Sequence, residues 1–374
     1  MGRAAVGVAA AGSRGGRGMS IDSVVGSGDP GGPDQDERGR RRRGLRALVY
    51  GLIALLVLVL LAAAGIVLVT QQLGSQVGRY PSVFAPIDPS SRPSDAAGQT
   101  FLLMGTDTRS PDPTTGTDAA PDAVFGSQRS DVIMVATIAQ DGQSASIVSI
   151  PRDSWVDVPG RGRNKINAAY AFGGPPLLIQ TVEQLTRVHV DHFAVIDFAG
   201  FAQMTDAVGG IDVNVGQESE RDGVVVPAGP QHLNGEQALV YVRERKNLPG
   251  GDLDRVRRQQ AALRAFVKQS LDSGTLTNPT SAYALVDTVT RHVGVDDSLS
   301  NTGLAQLAFG MRDLRNSAVS FLTVPTAGTG MEGDQSVVYL DEGAGRELWF
   351  AVNTDAVPQY VASRPQEQLP DTPR

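Results

Sequence analysis

The chain has 374 residues, 41% hydrophobic and 20% charged, with a formal net charge of −7; that length supports a large buried core and excludes a stapled mini-protein. It has no cysteine and four histidines (His189, His192, His232, His292) without an HExxH pattern, which excludes disulfide frameworks, iron–sulfur clusters, thiolate chemistry and a histidine-rich metal site. The balance of 33 Lys+Arg against 40 Asp+Glu speaks against nucleic-acid binding.

Residues 1–46 are rich in Gly, Ser and Arg and lack hydrophobic periodicity, so a disordered tail is expected. They carry nine arginines against five acids, and six of the arginines fall between Arg38 and Arg46. Ala47 to Thr70 is an uncharged run of Leu, Val, Ala and Ile, long enough at about 1.5 Å per residue to cross a hydrocarbon core of about 30 Å. The run continues past Ala62-Ala63-Ala64 through Ile66 to Val69, so an uncleaved signal anchor is expected over 47–70 rather than a cleaved signal peptide. The arginine cluster orients the N-terminus to the cytoplasm, giving a single-pass protein of the cell membrane with everything after about residue 71 outside. Subtracting the tail's +4 from −7 leaves −11 for that outer part.

Residues 71–99, with Pro81, Pro86, Pro89 and Pro93, read as an extracellular linker. Thr100 to Met104 is a buried-strand pattern, and Ser110 to Gln128 a Pro/Thr/Gly/Asp loop, either a mobile lid or a tolerated insertion. Val132 to Ile138 and Ala145 to Ile150 are strand-like and joined through Asp141-Gly142, a hairpin signal. Helices are expected at Pro175 to Leu185 and at Phe198 to Val208, the second closed by Gly209-Gly210. Phe193 to Ile196 and Ile211 to Val215 are strand patterns. Further helices are expected at Asn234 to Val242, Leu253 to Leu271, Ser281 to Val293, Asn301 to Arg312 and Glu342 to Val352, with strands at Val319 to Val324 and Val337 to Leu340. The alternation predicts one α/β domain with a mixed sheet over residues 100–361, followed by a polar tail over 362–374.

With cysteine and histidine set aside, the reactive vocabulary is carboxylate and guanidinium. Five clusters stand out: Gly105-Thr106-Asp107-Thr108-Arg109, Arg129-Ser130-Asp131, Pro151-Arg152-Asp153, Lys165-Ile166-Asn167, and Tyr241 to Gln260. Several follow strands, where open α/β sheets place their ligand crevices. Arg243 and Arg245 share a side if extended, and Arg255 and Gln259 share a helix face. Carboxylate oxygens suit Mg²⁺, which normally shares phosphate oxygens with its ligand, and guanidinium forks suit the remaining phosphate charge. A pyrophosphate ester is the natural guest. Against this, any single Arg–Asp pair reads equally as a surface or capping salt bridge, Asp153 as a turn residue, and Arg257 and Arg258 as a solvated face.

In this order, the clusters closely resemble the LytR-CpsA-Psr family of cell-wall glycopolymer transferases. The matching stretches are Phe101 to Arg109, Arg129 to Ile133, Ser149 to Ser154, Lys165 to Ala169, and Leu233 to Leu239 running into Tyr241 to Arg245, completed by Asp252, Asp254, Arg255, Arg257, Arg258, Gln259 and Gln260. The resemblance implies an α-β-α sandwich around a mixed central sheet, with an apolar pocket for a polyprenyl chain. It implies a Mg²⁺-dependent (or Mn²⁺-dependent) phosphotransferase that moves a glycopolymer from a polyprenyl-pyrophosphate carrier to peptidoglycan through a phosphodiester. By motif position, Asp107 and Asp131 serve the metal. Arg129, Arg152, Lys165, Arg243, Arg245, Arg255 and Gln259 surround the pyrophosphate, and Asp252 holds that cluster. Asp107, Arg152, Arg243 and Arg245 are the catalytic candidates, Asp107 as general base where the metal does not commit it. A lipid-pyrophosphate phosphohydrolase using the same site and a non-catalytic envelope regulator are the alternatives.

Overall fold

The computed structural model describes residues 77–106, 130–244, 248–272, 279–311 and 313–373. Fifteen strands occur among them: β1 (Gly78–Tyr80), β2 (Gln99–Thr106), β3 (Ser130–Ile138), β4 (Ala145–Ser149), β5 (Trp155–Val158), β6 (Gly162–Lys165), β7 (His192–Asp197), β8 (Ile211–Val215), β9 (Ser219–Arg221), β10 (Val224–Val226), β11 (Gly229–Leu233), β12 (Val293–Asp296), β13 (Val319–Thr323), β14 (Thr326–Glu332) and β15 (Gln335–Leu340). The helices are α1 (Ile166–Thr186), α2 (Phe198–Ala207), α3 (Gly235–Arg243), α4 (Asp252–Asp272), α5 (Pro279–His292), α6 (Asn301–Gly310), α7 (Glu342–Asn353) and α8 (Val357–Ser363).

Seven strands form one mixed sheet in the order β1-β12-β7-β2-β3-β4-β13. β2 lies at its centre, parallel to β7 and antiparallel to β3. Its run Phe101-Leu102-Leu103-Met104 is covered on both faces, which is why it reads as a continuous apolar stretch. Leu102 and Met104 pack with Tyr170, Ile179, Val182, Leu348 and Trp349, under α1 and α7. Leu103 faces the other way, toward the cluster that contains Phe198, Ala238, Tyr241 and Ala262 of α2, α3 and α4. The result is a mixed sheet between two helical layers.

Local chemistry sets the element ends. Gly142 (φ 67°) turns β3 into β4, and Gly209 and Gly210 (φ 84° and 98°) close α2, with the Gly210 amide on the Thr205 carbonyl at 2.9 Å. α1 begins earlier than the periodicity suggests. Its first part, Ile166 to Phe172, precedes a break at Gly173 and Gly174 (φ 63°, ψ −157°), and Pro175 and Pro176 restart the helix.

Two boundaries differ from expectation. The ordered domain starts before Thr100: β1 pairs with β12 far along the chain, and Val83 and Ile87 are buried. A linker composition hid this because the partner strand is remote in sequence. Toward the other end, the polar tail docks, with the Leu369 amide on the Phe321 carbonyl at 3.0 Å and Arg264 on the Leu369 carbonyl at 3.1 Å. The tail over 1–46, the anchor over 47–70 and the 110–128 loop lie outside the described residues. Among the described residues no helix is long and apolar enough to cross a membrane.

Asp296, fully buried at the end of β12, accepts from the Phe193 and Ser298 amides at 3.0 Å each, from the Ser298 hydroxyl, and faces His192 Nδ1 at 3.3 Å. Burial alone would raise its pKa. The hydrogen bonds from His192, Ser298 and Phe193 outweigh it and hold the carboxyl below its ordinary 3.8. The stabilisation is therefore full above the unfolded value and disappears as pH falls through the lower folded value. Asp296→Asn should cost about 3 kcal/mol at neutral pH, and the Tm gap to wild type should shrink as pH falls below the ordinary carboxylate value of 3.8. A thermal-unfolding gap that does not change with pH contradicts this account.

Candidate functional site

The turn after β4 is tied to the start of α1. Ser154 closes it on the Pro151 carbonyl through its amide at 3.0 Å and its hydroxyl at 2.6 Å. The Ile166 amide then donates to the Ser154 carbonyl at 2.9 Å and the Asn167 amide to the Arg152 carbonyl at 3.2 Å. The Pro-Arg-Asp and Lys-Ile-Asn clusters are thus one unit. In it Lys165 Nζ lies 3.1 Å from Asp153 Oδ1, and Arg152 Nε lies 3.7 Å from Asp153 Oδ2.

Arg152 Nε also lies 3.4 Å from Asp252 Oδ1 on the first turn of α4, and the same oxygen pairs with Arg255 one turn on. A row of alternating charge results: Lys165, Asp153, Arg152, Asp252, Arg255. Three cations meet two carboxylates, and the N-terminal end of α4 adds positive potential. Gln259, a turn beyond Arg255, is buried, and its Nε2 and the Asp252 Oδ2 have no hydrogen-bond partner among the described residues. Buried polar atoms of that kind call for a partner.

Gln259 also lines an apolar cavity of about 840 Å³, counting its open mouth, between the sheet and α2 and α4. Leu103, Met134, Phe201, Met204, Leu263 and Phe266 form its walls. At Gly105, which lines the same cavity, an added Cβ would stand 2.8 Å from the Val132 Cβ, so a side chain there would wedge β2 from β3. Arg243 ends α3 with its guanidinium 4.7 Å from the centre of the Phe198 ring, another cavity residue. Such stacking fixes a cation without removing its charge.

The structure therefore brings Arg152, Lys165, Asp252 and Arg255 into one ion row, and sets Gln259 and Arg243 against the cavity. Asp107, Arg129 and Arg245 lie outside the described residues. Asp131 is the second residue of β3, at a register shift: Gly105 pairs with Val132 but Thr106 with Ser130. Among the described residues no group of three or more His, Cys, Asp or Glu side chains is arranged to hold a metal ion.

Other motif positions are architectural. Asn234 and Gln237 form a reciprocal capping box for α3, and the Gly235 amide donates to Asp206 Oδ1 at 2.8 Å, so Leu-Asn-Gly-Glu-Gln-Ala-Leu seats a helix. Asp254 takes the Gly250 amide at 2.7 Å and Arg257 at 2.9 Å. Arg258, expected on a solvated face, is fully buried. It donates to the Gln217 carbonyl at 2.7 Å and to Ser219 Oγ, and stacks on Tyr241. Desolvation lowers the Arg258 pKa and pushes that of Tyr241 up to about 12. The expectation failed because the start of α4 is enclosed almost all round, leaving only Arg257 exposed between Asp254 and Ala262. Sequence reading also passed over Asp197, which caps α2 through the Gly200 amide at 2.7 Å and lines the cavity. An Asp directly before the Phe198 helix was the available signal.

Comparison with known proteins bears on this arrangement. The profile of the LytR_cpsA_psr family matches residues 80–349. The chain belongs to that family. Among its relatives is the cell wall biosynthesis protein LcpA of Corynebacterium glutamicum, 38% identical over 241 residues, covering 56% of this chain and 46% of LcpA. Another is the polyisoprenyl-teichoic acid–peptidoglycan teichoic acid transferase TagU of Enterococcus faecalis, 38% identical over 164 residues, covering 44% of this chain and 54% of TagU. The chain thus spans about half the length of these relatives. The crystal structure of Bacillus subtilis TagV superposes with a TM-score of 0.55 at 26% identity, over 68% of this chain and 96% of TagV. The α/β fold with its mixed central sheet is the fold of this family.

If the ion row is an anion site, Arg152→Ala should weaken binding of inorganic pyrophosphate to the full-length protein about tenfold or more, the effect of one charge-assisted contact. Calorimetric titration giving equal affinities contradicts that placement.

Proposed function

We propose that this family member transfers a glycopolymer from a polyprenyl-diphosphate carrier to peptidoglycan, forming a phosphodiester. The observation that carries the reading is the junction at Gln259 between an apolar cavity and a net-positive ion row. An apolar tail attached to a diphosphate has that same division. The name of TagU supplies the class of donor and acceptor.

In this reading the prenyl chain lies between the sheet and α2 and α4. Arg152, Lys165, Arg255 and Gln259 bind the diphosphate, joined by Arg129, Arg243 and Arg245. Asp252 holds Arg152 and Arg255 at fixed separation, so the guanidinium groups need no reorganisation when charge shifts. A muramyl hydroxyl attacks the glycan-bearing phosphorus, the bond from that phosphorus to the bridging oxygen breaks, and the electron pair leaves on the lipid phosphate. The hydroxyl proton goes to a carboxylate, to which we assign Asp107 through whichever oxygen the metal leaves uncommitted. Positioning and charge stabilisation carry most of such a displacement.

We assign Mg²⁺, or Mn²⁺, to the carboxylates of Asp107 and Asp131; the cross-sheet pairing of their chain neighbours Thr106 and Ser130 supports the assignment. Held there, such an ion would supply neutralisation of diphosphate charge. We further propose that residues 47–70 anchor the protein as a single pass, with 1–46 cytoplasmic and the catalytic domain outside, which keeps it near a membrane-borne donor.

The test uses full-length protein in detergent with a polyprenyl-diphosphate glycan, Mg²⁺ and purified sacculi. The expected products are polyprenyl phosphate and a phosphodiester-linked glycan on the sacculi, and Arg243→Ala should lower the transfer rate roughly a hundredfold. Donor hydrolysis that leaves the sacculi unmodified overturns transfer in favour of a phosphohydrolase.

A further inference from the structure

The ion row does not end at Lys165. β5 and β6 form a hairpin whose turn has Pro159 followed by Gly160 (φ 70°), with the Arg161 amide on the Val158 carbonyl at 2.9 Å. Its register sets Trp155 directly opposite Lys165 and Asp157 opposite Arg163. Residues directly opposite in an antiparallel pair share a face. The other face, Val156 and Val158, is buried in the core.

Trp155 differs from the other tryptophan of the chain. The chain has two tryptophans, and Trp349 is 4% exposed in the core under the sheet. Trp155 is half-buried and belongs to none of the three apolar clusters of the described residues. Its carbonyl receives a hydrogen bond from the Arg163 guanidinium at 3.1 Å, which holds that cation at the edge of the face. Farther out, the Arg161 guanidinium lies 5.4 Å from the centre of the exposed Phe172 ring. The ion row therefore runs from Arg255, one helical turn before the cavity residue Gln259, through Asp252, Arg152 and Asp153 to Lys165, whose strand partner is Trp155.

We infer that this hairpin face, with Trp155 at its centre, is the subsite for the peptidoglycan acceptor strand. The inference rests on the transferase reading and adds to it where the acceptor sits. In an in-line displacement the attacking hydroxyl stands opposite the leaving group. With the lipid at the cavity end, the leaving lipid phosphate is on that side and the attacking sugar on the hairpin side. A half-covered indole offers a flat apolar surface with a polar edge, which matches the apolar face of a pyranose ring. Arg161, Arg163 and Lys165 against Asp153 and Asp157 leave an excess of positive charge, which complements the carboxylates of stem peptides.

Full-length protein in detergent is assayed with the lipid-linked donor while soluble uncrosslinked glycan strands are varied as acceptor. Trp155→Ala should raise KM for the acceptor roughly tenfold, the equivalent of one stacking contact, and leave KM for the donor within about twofold. Trp155→Phe should recover most of the loss, and Arg163→Glu should raise the same constant. Indole emission should shift when strands are added to wild type, and the shift should vanish in Trp155→Phe. An acceptor KM unmoved in Trp155→Ala and Arg163→Glu overturns the subsite while leaving the transferase reading intact. A rise confined to the donor KM also overturns it, by assigning the face to the donor glycan. Wild-type protein that transfers nothing overturns the reading itself, and the subsite with it.

Discussion

The site depends on one shared carboxylate oxygen. Asp252 Oδ1 faces Arg152, which follows a sheet strand, and Arg255, which lies on a helix. Two guanidinium groups that close would repel each other without it, and partly buried charges are costly unless paired. Asp252 solves both problems from the first turn of α4, where the helix dipole also favours a carboxylate. Its second oxygen has no hydrogen-bond partner among the described residues. The row is net positive, and the unpartnered Gln259 Nε2 is a donor available to an anion, whereas the open Asp252 oxygen is an acceptor suited to a hydroxyl or a cation.

Everything around this pair keeps α4 at a fixed distance from the sheet. Arg258, enclosed beside Tyr241 and bonded to the loop before β9, and Gln260, bonded to the Leu322 carbonyl, hold the helix from its other sides. The capping box of α3 and the closure of α2 on Gly209 and Gly210 position the remaining cavity walls. At the cavity wall β2 and β3 pair closely because β2 carries Gly105 where a side chain would collide with Val132. Fold stability and cavity shape are therefore set by the same residues. A substitution that loosens α4 should disturb both.

Much of this was legible in the sequence, for physical reasons that differ by element. β2, β7 and the helices at 198, 235 and 342 carry strong local signals: unbroken apolar runs, cap residues and terminal glycines. The clustering of Arg152, Lys165, Asp252 and Arg255 was readable only from the order of motifs, since their spacing spans a hundred residues of chain. β1 escaped because its partner in the sheet, β12, is remote and its own composition is that of a spacer. The β5–β6 hairpin escaped because each strand has four residues, too few to show alternation, although Pro159-Gly160 marked its turn. Arg258 was misjudged because a charged residue beside Arg257 looks solvated until the layers that enclose α4 are known.

The central claim is that apolar cavity and ion row form one continuous site for an amphiphilic diphosphate. The most direct measurement is calorimetric titration of the full-length protein in detergent with a short-chain prenyl diphosphate, the matching prenyl alcohol and inorganic pyrophosphate. The account predicts that the prenyl diphosphate binds at least about tenfold more tightly than either half alone. Pyrophosphate that binds as tightly as the prenyl diphosphate would contradict it.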